Sequence, residues 1–165
     1  MKTLYLLRHA KSSWDNPDLR DFERPLAKRA ARDVPLIASR FMDRRKNVGC
    51  IISSPAKRAK TTARMFARHI GFPLEGITSN PELYFASVSA LLKSASLVDE
   101  DFESAMLVGH NPAVTEFANM IANLDIDNIP TCGLVELSLP IDTWMEIEAG
   151  LATLIDFDYP KRTLE

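Results

Sequence analysis

The sequence predicts an α/β fold in three α/β/α layers, with helices covering both faces of a mostly parallel sheet. Short apolar runs alternate along the chain with helical patterns, which is the order expected when crossover helices join parallel strands. A length of 165 residues and a hydrophobic content of 46% suit one sizeable core. We therefore expect residues 1–165 to form a single domain.

In the first half of the chain, a strand is predicted over 3–7, followed by a polar loop that contains "DNPDLRDFERP". A helical pattern covers 26–45, and Pro35 is expected to break or kink it. The run "VGCIIS" predicts the second strand. The next helix is expected to use Ser54 as its N-cap and Pro55 as its first helical residue.

In the second half, a third strand is predicted over 74–78 and a helix over 86–97. The stretch "SAMLVGHNP" then repeats the pattern of a buried strand followed by a polar turn. A helix over 113–123 comes next, and "CGLVELSLP" and "GLATLIDFD" predict two closing strands. The order of the strands in the sheet does not follow from the sequence.

The overall charge is nearly balanced. Twenty basic and 22 acidic residues leave a formal net charge of -2, which gives no electrostatic reason to expect nucleic-acid or membrane binding. No apolar stretch approaches the roughly 20 residues of a membrane span, and the N-terminal run is too short for a signal peptide. We expect a cytoplasmic protein in which any preference for anions is local.

Three of the predicted strands run directly into polar residues. The first ends in Arg8 and His9, the second leads to Arg58 through "SPAKR", and the run "MLVG" leads to His110. In an open parallel sheet, the carboxyl ends of neighbouring strands meet at one crevice where ligands bind. If these three strands are neighbours, two arginines and two histidines share one pocket.

This combination of side chains suits a phosphoryl group. Arginine presents donors in a planar fork that can hold two oxygens, and a helix beginning near Ser54 adds free N–H groups beside Arg58. A neutral His9 with a fixed tautomer could attack phosphorus, and nearby arginines favour the neutral imidazole. His110 would donate to the oxygens as negative charge develops on them.

Each of these residues also has an ordinary structural interpretation when taken alone. Arg8 and His9 could simply end a strand, and Arg58 could be a solvated helix residue. The stretch "RFMDRRK" is interpreted as a solvated helix end, because basic residues favour helix C-termini. The sequence contains no H-E-x-x-H motif or Cys/His cluster, so we expect no metal site and no cofactor.

The segment "LLRHAKSSW" resembles the signature of the histidine phosphatase superfamily, the phosphoglycerate-mutase-like enzymes. The segments "ERPLAKRA", "SSPAKRAKTTA" and "GHNP" agree with the same family in order and spacing. The motif "RHAKS", the short length and "RPL" are most similar to the small SixA-type phosphohistidine phosphatases. The resemblance implies a phosphoglycerate-mutase-like fold, His9 as the phosphorylated nucleophile, Arg8 and Arg58 as phosphate-binding residues, and His110 as the second pocket histidine.

Two further residues are assigned through the same resemblance. Glu82 in "NPELY" matches the position of an acidic residue that can protonate the leaving group, and it could equally be a turn residue. A phosphohistidine leaving group can itself be protonated on its ring, which reduces the need for such an acid. Arg24 in "RPL" is assigned a supporting role near the pocket, and the alternative is a solvated helix entry.

The chain has little material for a lid, since about twenty residues separate "NPELY" from the strand at Met106 and most of them are predicted to be helical. An open site can admit a phosphoryl group that protrudes from another protein, such as a histidine phosphotransfer domain. We therefore expect a metal-independent phosphohistidine phosphatase acting through His9. The alternatives are a phosphatase of small phosphorylated metabolites or other phosphoproteins, and a non-catalytic phosphate-binding protein.

Overall fold

A computed structural model describes residues 1–163 of the protein and contains six strands and four α-helices within that range. The strands are β1 (Lys2–Arg8), β2 (Cys50–Ser53), β3 (Ile77–Ser79), β4 (Ser104–Gly109), β5 (Leu134–Leu139) and β6 (Thr153–Asp158). The helices are α1 (Ala30–Asp43), α2 (Lys57–Ile70), α3 (Val88–Ser96) and α4 (Ala113–Ala122). Short 3₁₀ turns lie at Asp21–Glu23, Leu74–Gly76, Pro81–Leu83 and Trp144–Glu146.

The strand order in the sheet is β3-β2-β4-β1-β5-β6. The first four of these strands are parallel, and β5 and β6 pair antiparallel. The predicted mostly parallel sheet is therefore confirmed, and β2, β4 and β1 are direct neighbours. In the register, Arg8 lies opposite Gly109 and Ser53 lies opposite Val108, so the carboxyl ends of the three strands are level.

Helices cover both faces of the sheet, which confirms the three-layer architecture. Because successive side chains of a strand point to opposite faces, β1 contributes to two separate cores. Leu4 and Leu6 pack in the core that contains α3, α4 and the fully buried Trp144. Tyr5 and Leu7 pack in the core of the other face, beneath α1 and α2.

Helix α1 begins later than its apolar pattern predicted, and it is not broken by Pro35. The residues just before it are tied to the first loop, since Ser12 and Leu26 form an isolated β-bridge and the Ala27 N–H donates to the Lys11 carbonyl. Pro35 lies inside the continuous helix. Because proline has no N–H, the carbonyl of Ala31, four residues earlier, lacks its helical hydrogen bond. Ala31 is exposed, so water can donate to this carbonyl instead.

The predicted start of α2 was wrong. Its N-cap is Ala56 and its first helical residue is Lys57, so Ser54 and Pro55 precede the helix. The Ser54 hydroxyl accepts a hydrogen bond from the Ala56 N–H at 3.2 Å, which closes a local turn rather than capping the helix. This turn keeps the fully buried Ser54 at the end of β2.

Within residues 1–163, the longest helices have 14 residues, and none is both long and apolar enough to cross a membrane. The cytoplasmic location stays a prediction.

The third strand is shorter than expected, because Leu74–Gly76 forms a 3₁₀ turn and only Ile77–Ser79 pairs with β2.

Candidate active site

The imidazole of His9 lies directly after β1 and is only 7% exposed. Its Nδ1 is 2.7 Å from the carbonyl oxygen of Ala10. A carbonyl can only accept, so this contact places the proton on Nδ1 and leaves the lone pair on Nε2. No residue between 1 and 163 hydrogen-bonds Nε2. The ring is thus fixed in the tautomer that a nucleophile requires.

The surroundings of His9 keep it neutral at physiological pH. Burial, followed by the positive charges of Arg58, Arg8 and Arg24, lowers the pKa of His9 to about 4, although the Ala10 carbonyl favours the protonated form. An unperturbed histidine would be partly protonated near neutrality. Here the Nε2 lone pair is available across the physiological range.

His110 follows β4, and the centroid of its ring is 5.2 Å from that of His9. Its Nε2 is 2.7 Å from the Ser54 hydroxyl at the end of β2. Its Nδ1 is buried and has no hydrogen-bond partner among the described residues. Burial, followed by the proximity of His9 and Arg58, lowers the pKa of His110 to about 3. The site therefore holds two neutral imidazoles side by side.

Two arginines lie in the same place. Arg58, in the first turn of α2, is 8% exposed and donates to the Asp21 carbonyl at 2.7 Å and to the Asp21 carboxylate at 3.0 Å. Arg8 ends β1 and donates to the carbonyl of Ile129 at 2.9 Å. The Nε of Arg8 is buried without a partner among residues 1–163. A buried N–H without an acceptor is costly, and an oxyanion would satisfy it.

The carboxylate of Asp21 joins three side chains at the edge of the site. It accepts hydrogen bonds from Arg24 at 3.1 Å, from Arg58 at 3.0 Å and from the Tyr84 hydroxyl at 2.6 Å. Burial opposes the charge of this carboxylate, but the hydrogen bonds from Tyr84, Arg58 and Arg24 together lower its pKa to about 2. Asp21 is therefore ionised and holds Arg58 in a fixed orientation.

Arg24 lies one step behind Arg58 in this network. It is 6% exposed and donates to the Ser12 hydroxyl at 2.6 Å and the Ser13 carbonyl at 3.2 Å. Its guanidinium carbon is 3.2 Å from the centre of the Trp14 ring. Arg24 is thus a buried group that shares Asp21 with Arg58, and a solvated helix entry does not describe it.

A cavity of about 390 Å³ opens above these groups. Its walls are formed by Asp21, Arg58, Tyr84, Phe85, Ala86, His110, Asn111, Pro112 and Ala113. Glu82 is not among them: its side chain is 55% exposed, lies 3.9 Å from Lys93 and borders a neighbouring groove. Of the predicted site residues, Arg58 and His110 line this cavity. His9, preceded by Arg8, adjoins it beside the His110 ring, Arg24 shares Asp21 with Arg58, and Glu82 borders the neighbouring groove. Its role as a proton donor stays a prediction.

Sequence reasoning missed three groups of the site: Asp21, Tyr84 and the Ser54 hydroxyl as a partner of His110. Asp21 and Tyr84 are 63 residues apart and meet only through the fold. A weak signal was present for Asp21, which comes three residues before Arg24 in "DFERP". Ser54 was assigned to helix capping, although its hydroxyl lies 2.7 Å from Nε2 of His110.

The family model described as "Histidine phosphatase superfamily (branch 1)" matches residues 4–93, which include Arg8, His9 and Arg58. The chain belongs to the histidine phosphatase superfamily. Together with the phosphatases among its structural matches, this membership indicates a phosphatase, a hydrolase. The resemblance found in the motifs "LLRHAKSSW" and "SSPAKRAKTTA" is thus confirmed at the level of the family.

Solved structures place the chain beside the SixA-type members of the superfamily. The protein assigned as phosphohistidine phosphatase SixA from Agrobacterium tumefaciens is 32% identical, with a TM-score of 0.79 over 96% of this chain and 98% of that chain. A protein histidine phosphatase SixA complexed with tungstate has a TM-score of 0.81 at 19% identity, over 96% and 97% of the two chains. A mycobacterial glucosyl-3-phosphoglycerate phosphatase in complex with VO3 has a TM-score of 0.69 at 12% identity, over 96% and 100%.

Proposed function

We propose that this phosphatase removes the phosphoryl group from a phosphohistidine on another protein, through a covalent phosphohistidine intermediate on His9. The observation that carries the proposal is the state of His9: a buried, neutral imidazole whose Nδ1 is fixed by the Ala10 carbonyl at 2.7 Å. An imidazole in this state is a nitrogen nucleophile at neutral pH. The reaction is a two-step transfer that needs no metal ion.

In the first step, Nε2 of His9 attacks phosphorus and the phosphorus–nitrogen bond of the substrate breaks. The leaving imidazole carries away the electron pair of that bond and is already protonated on its ring, so it departs as a neutral group. In the second step, water attacks the phosphoryl group on His9. Inorganic phosphate leaves, and the neutral imidazole is restored.

The donors of the site support this chemistry because they converge on the place where negative charge develops. Arg58 is held by Asp21 and keeps further N–H groups free, and the Nε of Arg8 has no acceptor among the described residues. His110, 5.2 Å from His9, adds a ring whose Nδ1 is likewise unpaired within residues 1–163. Preorganised donors of this kind stabilise an oxyanion without reorganising during the reaction.

The choice of a phosphohistidine protein as substrate is supported by the similarity to SixA-type proteins and by the position of Glu82. The SixA from Agrobacterium tumefaciens, assigned as a phosphohistidine phosphatase, is 32% identical over nearly the whole chain. Since the Glu82 side chain is 55% exposed and lies 3.9 Å from Lys93 at the neighbouring groove, a substrate whose leaving group carries its own proton suits this site better than an alkoxide.

A phosphatase of small phosphorylated metabolites, or of another kind of phosphoprotein, is the second candidate. One observation favours the metabolite: a cavity of about 390 Å³ lies within the size range of small-molecule sites. The fold is also shared with a glucosyl-3-phosphoglycerate phosphatase. Turnover of a phosphohistidine protein, compared with that of sugar phosphates, serine phosphate and nucleotides, separates the two candidates.

The test uses a histidine phosphotransfer domain that carries a radiolabelled phosphoryl group. The wild-type protein is expected to release phosphate and to become labelled itself, with the label lost in acid and retained in alkali, as expected of a phosphorus–nitrogen bond. His9→Ala is expected to form no labelled protein, with circular dichroism showing that it is folded. A chelator is expected to leave the rate unchanged. Equal release by wild type and His9→Ala would disprove the nucleophile.

A further inference from the structure

Phe85 is an unusual residue at the mouth of the candidate active site. Its side chain is 85% exposed, although it is one of the largest apolar side chains in the protein. Its backbone has a φ of +56°, in the left-handed region that bulky residues rarely adopt. It also lines the cavity that contains Arg58 and His110. Neither the exposure nor the backbone conformation of Phe85 stabilises the fold.

The Phe85 ring nevertheless packs against a neighbouring aromatic residue that is itself held in place. The centroid of the Tyr84 ring is 4.1 Å from that of Phe85, and Phe22 packs edge-on against Tyr84 at 5.1 Å. The Tyr84 hydroxyl is anchored on Asp21. These three aromatic residues, Phe22, Tyr84 and Phe85, form what we call the aromatic ridge. Asp21, which orients Arg58, therefore also holds Tyr84 in the ridge.

Hollows lie on two sides of the ridge. One is the cavity of about 390 Å³ that holds Arg58 and His110. The other is a groove of about 480 Å³ bordered by Glu82, Ser89 and Lys93. Tyr84, Phe85 and Ala86 line both. A small molecule bound over His110 would contact only the side of the ridge that faces the cavity. A protein surface that presents a phosphoryl group to His9 would also cover the side that faces the groove.

We infer that Phe85 is a recognition residue for a protein substrate, and that its ring packs against apolar side chains next to the phosphorylated histidine of the partner. This inference rests on the proposed function, because it specifies how that substrate is held. Strained residues persist where they serve a functional contact, and aromatic residues, phenylalanine among them, are enriched at protein interfaces. The continuity of the ridge with the catalytic cavity places this contact beside the reacting group.

The test compares two substrates: a histidine phosphotransfer domain phosphorylated with phosphoramidate, and free phosphohistidine. For each, kcat/KM is measured for the wild type and for Phe85→Ala. The ratio of the protein value to the free amino-acid value is expected to fall about tenfold in Phe85→Ala, the size expected for loss of one interface aromatic. Phe85→Tyr keeps the ring and is expected to retain most of the wild-type ratio.

Two further variants separate recognition from folding. Phe85→Gly removes the ring and the backbone strain together, so it is expected to lose the same preference for the protein substrate with no decrease in Tm. Met145→Ala is the matched control, since Met145 is 79% exposed and lies in a 3₁₀ turn outside the site. It is expected to change neither kcat/KM value.

The outcomes distinguish a failure of the recognition role of Phe85 from a failure of the proposed function. If the wild type dephosphorylates the domain and Phe85→Ala leaves the ratio unchanged, the inference is wrong and the proposed function stands. If Phe85→Ala lowers kcat/KM for both substrates equally, the ring serves the cavity and not the partner, which also overturns the inference. If the wild type does not act on the phosphorylated domain, both the inference and the proposed function fail.

Discussion

Two groups of arginines in this protein differ in how completely acidic residues pair with them. At the sheet edge, Arg40, Arg44 and Arg162 surround the two carboxylates of Asp156 and Asp158, and every one of the three forms an ion pair. At the candidate active site, Arg24 and Arg58 share the single carboxylate of Asp21, and Arg8 forms no ion pair among the described residues. Arg8 is paired only with a backbone carbonyl, and its buried Nε has no partner within residues 1–163.

The difference separates a structural group from a functional one. The edge network joins α1 to β6 with its hydrogen bonds satisfied, since Arg40 also donates to the carbonyls of Tyr159 and Arg162. The site keeps spare donors and surplus positive charge, and under the proposed function an incoming phosphoryl group would supply the missing acceptor. Residue type alone does not distinguish the two groups, whereas the pairing of each guanidinium does.

The largest expected effect comes from removing a guanidinium at the site. Arg58→Ala is expected to lower kcat by a factor on the order of 10² to 10³, the usual loss when an oxyanion donor is removed. Arg40→Ala, the matched variant in the edge network, is expected to retain kcat. Steady-state kinetics with the same phosphorylated substrate give both values. A kcat above a tenth of wild type in Arg58→Ala would contradict the assignment of Arg58 to phosphate binding.

The edge network is expected to show the opposite behaviour. Asp158 is 1% exposed and pairs with Arg40 and Arg44, so Asp158→Ala leaves two guanidiniums without their shared carboxylate. Because both arginines are partly solvated, we expect the free energy of unfolding to fall by about 2–3 kcal/mol, somewhat less than for a fully buried pair. Urea denaturation measures this change. An unchanged stability, or a large loss of kcat in the folded variant, would remove the distinction between the two groups.

The smallest expected effect concerns pH. Since burial and the neighbouring arginines lower the pKa of His9 to about 4, its ring stays neutral as the pH falls from about 7 to about 5, and it gains a proton only near pH 4. NMR titration of the His9 ring resonances is expected to show little change above about pH 5. A midpoint near 6.5, the ordinary value for histidine, would mean that neither burial nor the surplus positive charge lowers the pKa of His9.

The sequence predicted the layers and the convergence of Arg8, His9, Arg58 and His110 because both follow from local rules. Strand–helix alternation predicts a layered α/β fold, and residues at the carboxyl ends of adjacent parallel strands meet at one edge. The sequence does not show that β2, β4 and β1 are neighbours; the strand order of the sheet establishes this. Pairing of side chains distant in sequence, such as Tyr84 with Asp21, has no local signal.

The edge network shows the same limit. The stretch "RFMDRRK" was interpreted as a solvated helix end, and this was wrong for its first and fifth residues, Arg40 and Arg44. Both bind the aspartates of β6, more than 110 residues away in the chain. The helix-end position is correct, since Arg44 is the C-cap of α1. The electrostatic partner depended on which strand lies beneath the helix.

The segment just before β5 contacts the residues at the carboxyl ends of β1 and β4. The carbonyl of Ile129 accepts hydrogen bonds from Arg8 and from Asn111, and the Cys132 N–H donates to the carbonyl of His9. The family match ends at residue 93, so the segment that contains Ile129 and Cys132 lies entirely outside it. A fragment trimmed to the matched part would retain His9 and Arg58, yet it would lack the hydrogen bonds from the 129–132 segment that hold Arg8 and His9 in position.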